Sequence, residues 1–87
     1  MHLQRTSRFD TNYAKLDAQS QKAIKKALAL MIQDLRHPSL RVKKMRGKEY
    51  IYEASANMDI RITFHFADAK TIVLRNCGHH DKTLKKA

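Results

Sequence analysis

The residues able to do chemistry crowd the end of the sequence, in "RNCGHHDKTL" at 75–84, with Asp59, Arg61 and His65 upstream in "DIRITFHF". Histidine exchanges a proton near neutral pH. Arginine stabilises a phosphorane that carries extra negative charge. Together they suit metal-free RNA cleavage. A base takes the proton from a ribose 2′-OH, the oxygen attacks the neighbouring phosphorus, and an acid protonates the leaving 5′-oxygen. Glu53 and Asp59 are the carboxylates on hand. As a metal site the segment is poor, because adjacent histidines in a strand or turn point apart and no Cys or carboxylate cluster has ligand spacing. A plain surface terminus is the other alternative. No metal or cofactor is expected.

Such groups need a frame, and the apolar pattern supplies one. Residues 2–7 can form a short strand. Phe9, Tyr13 and Leu16 recur at i, i+4, i+7, which predicts a short helix over 9–16. Asp17 is placed to cap a second helix. In it, Ile24, Ala27, Leu28, Met31, Ile32 and Leu35 form one apolar stripe, with Lys22, Lys25 and Lys26 turned outward. That helix should end near Arg36, because His37 precedes Pro38 and is pushed out of the helical region. After Pro38 the period changes from 3.6 to 2. "LRVKKM", "EYIYEAS", "DIRITFHF" and "TIVLR" then read as strands joined by the short turns "RG", "NMD" and "ADAK". The expectation is one α+β domain over 1–87, ordered β-α-α-β-β-β-β, with two N-terminal helices on one face of a small antiparallel sheet.

If Ile60, Ile62 and Phe64 face the helices, Arg61 and His65 must face the other way. Arg75 ends the last strand, and Arg41 and Lys43 belong to the first strand after the helices. A bare sheet face carrying cations is a cradle for a phosphate backbone, and Tyr50 and Tyr52 offer rings for base stacking unless they pack into the core. Charge agrees: 18 Lys plus Arg against 8 Asp plus Glu leaves +10 on 87 residues. An excess of that size favours nucleic acid or an acidic protein as partner, ahead of a membrane surface. No apolar run is long enough to span a bilayer, and "MHLQRTSRFD" lacks a signal peptide's hydrophobic stretch. Cys77 is the lone cysteine, which fits a reducing cytoplasm.

"HPSLRVKKMRG", then "YEAS…DIRITF", then "TIVLRNCGHHDKTL" resemble, in order and over nearly the whole chain, the RelE/ParE superfamily of toxins from bacterial toxin–antitoxin pairs. The resemblance implies a compact β-α-α-β-β-β fold and an endoribonuclease that cuts messenger RNA in the ribosomal A site. It gives His80 the place of the catalytic acid in the branch similar to the YafQ toxin, and Asp59 that of the branch's strand-leading aspartate. Glu53 stands where that branch has a histidine, leaving either a carboxylate or a histidine as the base. Arg61 matches the arginine that the RelE branch sets against the scissile phosphate, and Arg75 lies close to its second arginine. His37 resembles the branch's His-Pro histidine, and Lys43 and Lys44, beside Arg41, suit the basic segment that meets ribosomal RNA. Leu84 departs from the pattern, since the family usually has Tyr or Phe there to stack on a base or donate a proton.

The resemblance also implies a cognate acidic antitoxin that covers the basic surface, with the free toxin monomeric and the complex of higher order. No membrane association is expected. Two other functions share the same sequence features. A gyrase inhibitor like the ParE branch would need no general acid, leaving His80, Glu53 and Asp59 dispensable. A generic basic RNA-binding domain would use the cations without proton carriers beside them.

Overall fold

The computed structural model describes residues 1–87, as three helices packed against a five-stranded sheet. The strands are β1 (His2–Arg5), β2 (Lys43–Lys44), β3 (Tyr52–Ser55), β4 (Ile60–Asp68) and β5 (Thr71–His79), in the sheet order β1-β5-β4-β3-β2. The helices are α1 (Ser7–Ala14), α2 (Ala18–Gln33) and α3 (His80–Lys85). The α+β architecture is the one expected, with β2 to β5 as an antiparallel meander. Two details were not legible in advance. β1 joins the sheet parallel to β5, pairing His2 with Thr71 and Arg5 with Leu74. The expected tail after β5 is a helix.

Local chemistry sets the boundaries. The Thr6 hydroxyl accepts from Phe9 N at 3.1 Å, which caps α1, and donates to main-chain oxygens of β5 at Leu74 and Arg75. Asp17 caps α2 by accepting from Ser20 N at 3.0 Å. The α2 helix stops at Gln33, short of Arg36, because the Asp34 carboxylate turns the chain by accepting from Arg36 N at 3.1 Å. The strand expected over 40–45 shrinks to Lys43–Lys44. Pro38–Leu40 form a 3-10 turn and Arg41 takes a left-handed conformation, φ 47°, which breaks extended structure.

The core lies between α1, α2 and one sheet face, around Phe9, Ile24, Met31, Ile62, Phe64 and Leu74, all fully buried. Truncating a ring such as Phe64 to alanine here costs about 3–5 kcal/mol. Ile32, expected in the α2 stripe, is instead 52% exposed. The second face carries Glu53 and Ser55 from β3, Thr63 and Arg61 opposite them on β4, and Asn76 and Gly78 on β5. Helix α3 folds back over β4 and β5. A Cβ on Gly78 would stand 2.9 Å from the Thr83 hydroxyl, so glycine is what lets α3 lie this close. As a result Thr63 is fully buried on a face that would otherwise be bare.

Candidate active site

Strand register brings part of the chemistry-bearing set together at one corner of this second face. Ile60 pairs with His79 and Arg61 with Gly78, and His80 N donates to the Asp59 carbonyl at 2.8 Å. Asp59, Arg61 and His80 therefore share the corner where β4 begins and α3 starts. The Arg61 guanidinium is folded back on the preceding turn, donating to the main-chain oxygens of Asn57 at 2.7 Å, Met58 at 3.1 Å and Ile60 at 3.2 Å. None of these acceptors is charged, so the cation keeps its full attraction for an anion. The His80 imidazole, 49% exposed, lies 3.1 Å from the Asp81 carboxylate, which would hold a protonated ring in place. Glu53 sits further along the face opposite Thr63, nearly buried, with Lys43 Nζ 3.8 Å away.

Arg75 belongs to a different corner. A bulge breaks the β4–β5 ladder where Thr63 pairs with Asn76 and Phe64 with Leu74, leaving Arg75 as the extra residue. Its Nη1 donates to His65 Nδ1 at 3.0 Å, its Nε donates to the Ala87 oxygen at 3.0 Å, and its guanidinium lies 5.6 Å from the Tyr50 ring centroid. Tyr50 meets His65 edge-on at 5.9 Å. Burial, and then the Arg75 charge, hold the His65 pKa below its ordinary 6.5. Accepting from Arg75 fixes the neutral ring with its proton on Nε2. From Arg61 to His65 is four residues, or roughly 13 Å along the strand, and no hydrogen bond or ion pair links His80 to Arg75.

The other expected contacts are more dispersed. Lys43 and Lys44 lie exposed on the short edge strand β2, and Arg41 is exposed beside it. His37 serves the chain itself, its Nδ1 accepting from Ser39 N at 3.2 Å to cap the 3-10 turn. Leu84 is half-buried in α3. Tyr52 stacks on Phe64 at 5.7 Å as a core ring, whereas Tyr50 is 61% exposed. Arg8 is the residue the sequence did not single out. Its Nη2 donates to the Ala87 oxygen at 2.6 Å and its Nε to the Arg75 carbonyl at 3.1 Å. Its position on the first turn of α1, far from the C-terminal cluster in sequence, gave no signal. No group of three His, Cys, Asp or Glu side chains is placed to hold a metal ion, and no helix is long and apolar enough to cross a membrane.

No family model matches the sequence, and no curated protein matches it. Solved structures do match. The YoeB/ParE toxin from Agrobacterium tumefaciens is similar with a TM-score of 0.74 at 13% identity, over 92% of this chain and 99% of that one. A chain of the E. coli DinJ-YafQ toxin-antitoxin complex gives 0.73 at 13% identity, over 92% of each chain. A chain of the intact E. coli RelBE toxin-antitoxin complex gives 0.69 at 20% identity, over 92% of this chain and 96% of that one. The chain has the fold shared by RelE, YoeB and YafQ toxins.

Proposed function

We propose that this chain is the toxin of a toxin–antitoxin pair and a metal-free endoribonuclease acting on messenger RNA held on the ribosome. The observation that carries this is the corner formed by Asp59, Arg61 and His80 on a fold of toxin type. Asp59 and Arg61 come from the start of β4 and His80 from the start of α3, and they meet where α3 leaves the sheet. In the proposed reaction Arg61 leaves its three carbonyls and takes the scissile phosphate, whose charge repays those bonds. Glu53 or Asp59 takes the 2′-OH proton, and His80, steadied by Asp81, protonates the leaving 5′-oxygen. The products are a 2′,3′-cyclic phosphate and a free 5′-hydroxyl. Arg41, Lys43 and Lys44 supply counter-charge for ribosomal RNA. An acidic antitoxin that covers this face would silence the site, as expected for a +10 chain.

The test is cleavage of ribosome-bound message by purified protein, with the ends mapped and growth followed on induction. His80→Ala and Arg61→Ala should each lose at least about 100-fold in cleavage, and Lys22→Ala, on the outer face of α2, should lose little. Equal losses in all three would leave only diffuse charge. Inhibition of gyrase by a protein that cleaves no message would replace this reading with the ParE-like one.

A further inference from the structure

The second corner holds a group already in place. One oxygen, the main-chain oxygen of Ala87, receives Arg8 Nη2 at 2.6 Å and Arg75 Nε at 3.0 Å, with the buried Thr63 hydroxyl at 3.5 Å. Convergence of two guanidiniums on one oxygen is the geometry that holds a non-bridging phosphate oxygen. Neither arginine has a carboxylate side chain as partner, since the ion pairs of the molecule are Arg5–Asp10, Lys43–Glu53 and His80–Asp81. The site opens into a cleft of about 450 Å³ that also presents Lys48, Lys85, Lys86 and the exposed Tyr50 ring. One carboxylate, Glu49, lines it.

We propose that Arg8 and Arg75 form a second phosphate site, for a phosphodiester of single-stranded RNA, where the Ala87 oxygen stands in for a phosphate oxygen and Tyr50 stacks on the adjoining base. The inference rests on RNA being the substrate, and concerns a phosphate other than the one cleaved. The Ala87 oxygen lies against Thr63, two residues or roughly 7 Å from Arg61 along β4, so the site holds the strand while the chemistry proceeds at the first corner. His65 orients the Arg75 guanidinium through the bond to Nη1, leaving Nε and the other edge free for the anion. Guanidinium suits this role better than ammonium, because its fixed fork reaches His65 and the anion together. RNA binding must displace the Ala87 oxygen, so the two ligands compete.

The experiment uses the full chain and a labelled single-stranded 2′-O-methyl oligoribonucleotide, which lacks the attacking hydroxyl and so separates binding from cleavage. Arg8→Gln/Arg75→Gln should weaken binding at least about 10-fold, and Lys25→Gln/Lys26→Gln, which removes the same charge from α2, less than about 3-fold. Tyr50→Ala should cost roughly 5- to 100-fold with the normal oligomer and almost nothing with an abasic one. On the unsubstituted protein, the oligomer should shift the NMR signals of Ala87 and of Arg75 Nε, a readout that does not depend on whether a variant folds. Equal losses in the arginine and lysine pairs, or unmoved Ala87 and Arg75 signals, overturn the proposal. Cleavage of ribosome-bound message with either result leaves the proposed function intact. Arginine-dependent binding by a protein that cleaves nothing keeps the second site and removes the nuclease.

Discussion

Gly78 is the hinge between sheet and α3, and replacing it measures how tightly the two are joined. Its φ is +149°, a conformation side chains rarely adopt, and a Cβ would come within 2.9 Å of the Thr83 hydroxyl. Strain of this backbone type costs about 1–3 kcal/mol, and overpacking a close contact costs about 1–3 kcal/mol more. Gly78→Ala should therefore lose roughly 2–6 kcal/mol from a total of about 4–13 kcal/mol for a chain this long. The loss has a ceiling, because α3 is six residues long and can lift off the sheet at the cost of its own docking. Lifting would expose Thr63 and withdraw the Ala87 oxygen from Arg8 and Arg75. Urea unfolding of Gly78→Ala, Thr83→Ala and the double variant separates steric from backbone cost. The clash, being pairwise, should appear as a coupling of about 1–2 kcal/mol, with the backbone strain persisting in the double variant. Additivity within about 0.5 kcal/mol would refute the contact as the reason for glycine.

Because His65 has its pKa lowered, the unfolded chain binds more protons than the folded one as pH drops below 6.5, so stability is present above that value and is lost as pH falls through the folded one. The unsubstituted protein should then lose more stability than His65→Gln between about pH 7.5 and pH 5, and equal losses would contradict the burial of His65 beside Arg75. Burial pushes the Cys77 thiol up to about 12, so it should resist alkylation at neutral pH in the folded protein and react only on unfolding; rapid labelling of native protein would show the core open there. Thr6→Ala removes the α1 cap and two contacts to β5, and should lower stability by about 1–2 kcal/mol in urea, with Thr6→Ser recovering most of it.

Much of the frame was legible because period and capping agree with packing. The alternation of Ile60, Ile62 and Phe64 against Arg61 and His65 placed the core and the second face correctly, and Asp17 caps α2 as its position implied. What escaped was decided by partners distant in sequence. The pairing of β1 with β5 is a contact between the two ends of the chain, and nothing in "HLQR" specifies a parallel neighbour. Ile32 has the right identity for the α2 stripe, yet it stands exposed beside the buried Met31. His80 has the residue type of a proton carrier, but the short helix that aims it was invisible in a polar segment of six residues.

The division of the cations into two corners has a single structural cause. Had β4 and β5 paired without interruption, Arg75 would occupy an ordinary ladder position. The bulge spends one extra residue at Arg75, bends the strand, and turns its guanidinium across to His65 on the neighbouring strand. Residues 86–87 return to the same corner, so Arg8 of α1 and the Ala87 oxygen meet over one β4 threonine. A bulge is a defect in pairing, and sequence alternation carries almost no trace of it. Arg61 and Arg75 look equivalent in the sequence, both expected near strand ends, yet β5 runs on to His79 and leaves Arg75 at its middle. The ladder makes them different: Arg61 remains with neutral carbonyls beside a proton carrier, while Arg75 is built into a cluster with an aromatic ring and a second guanidinium. Under the proposed function, chemistry and grip thereby fall to separate arginines, with α3 lying between them.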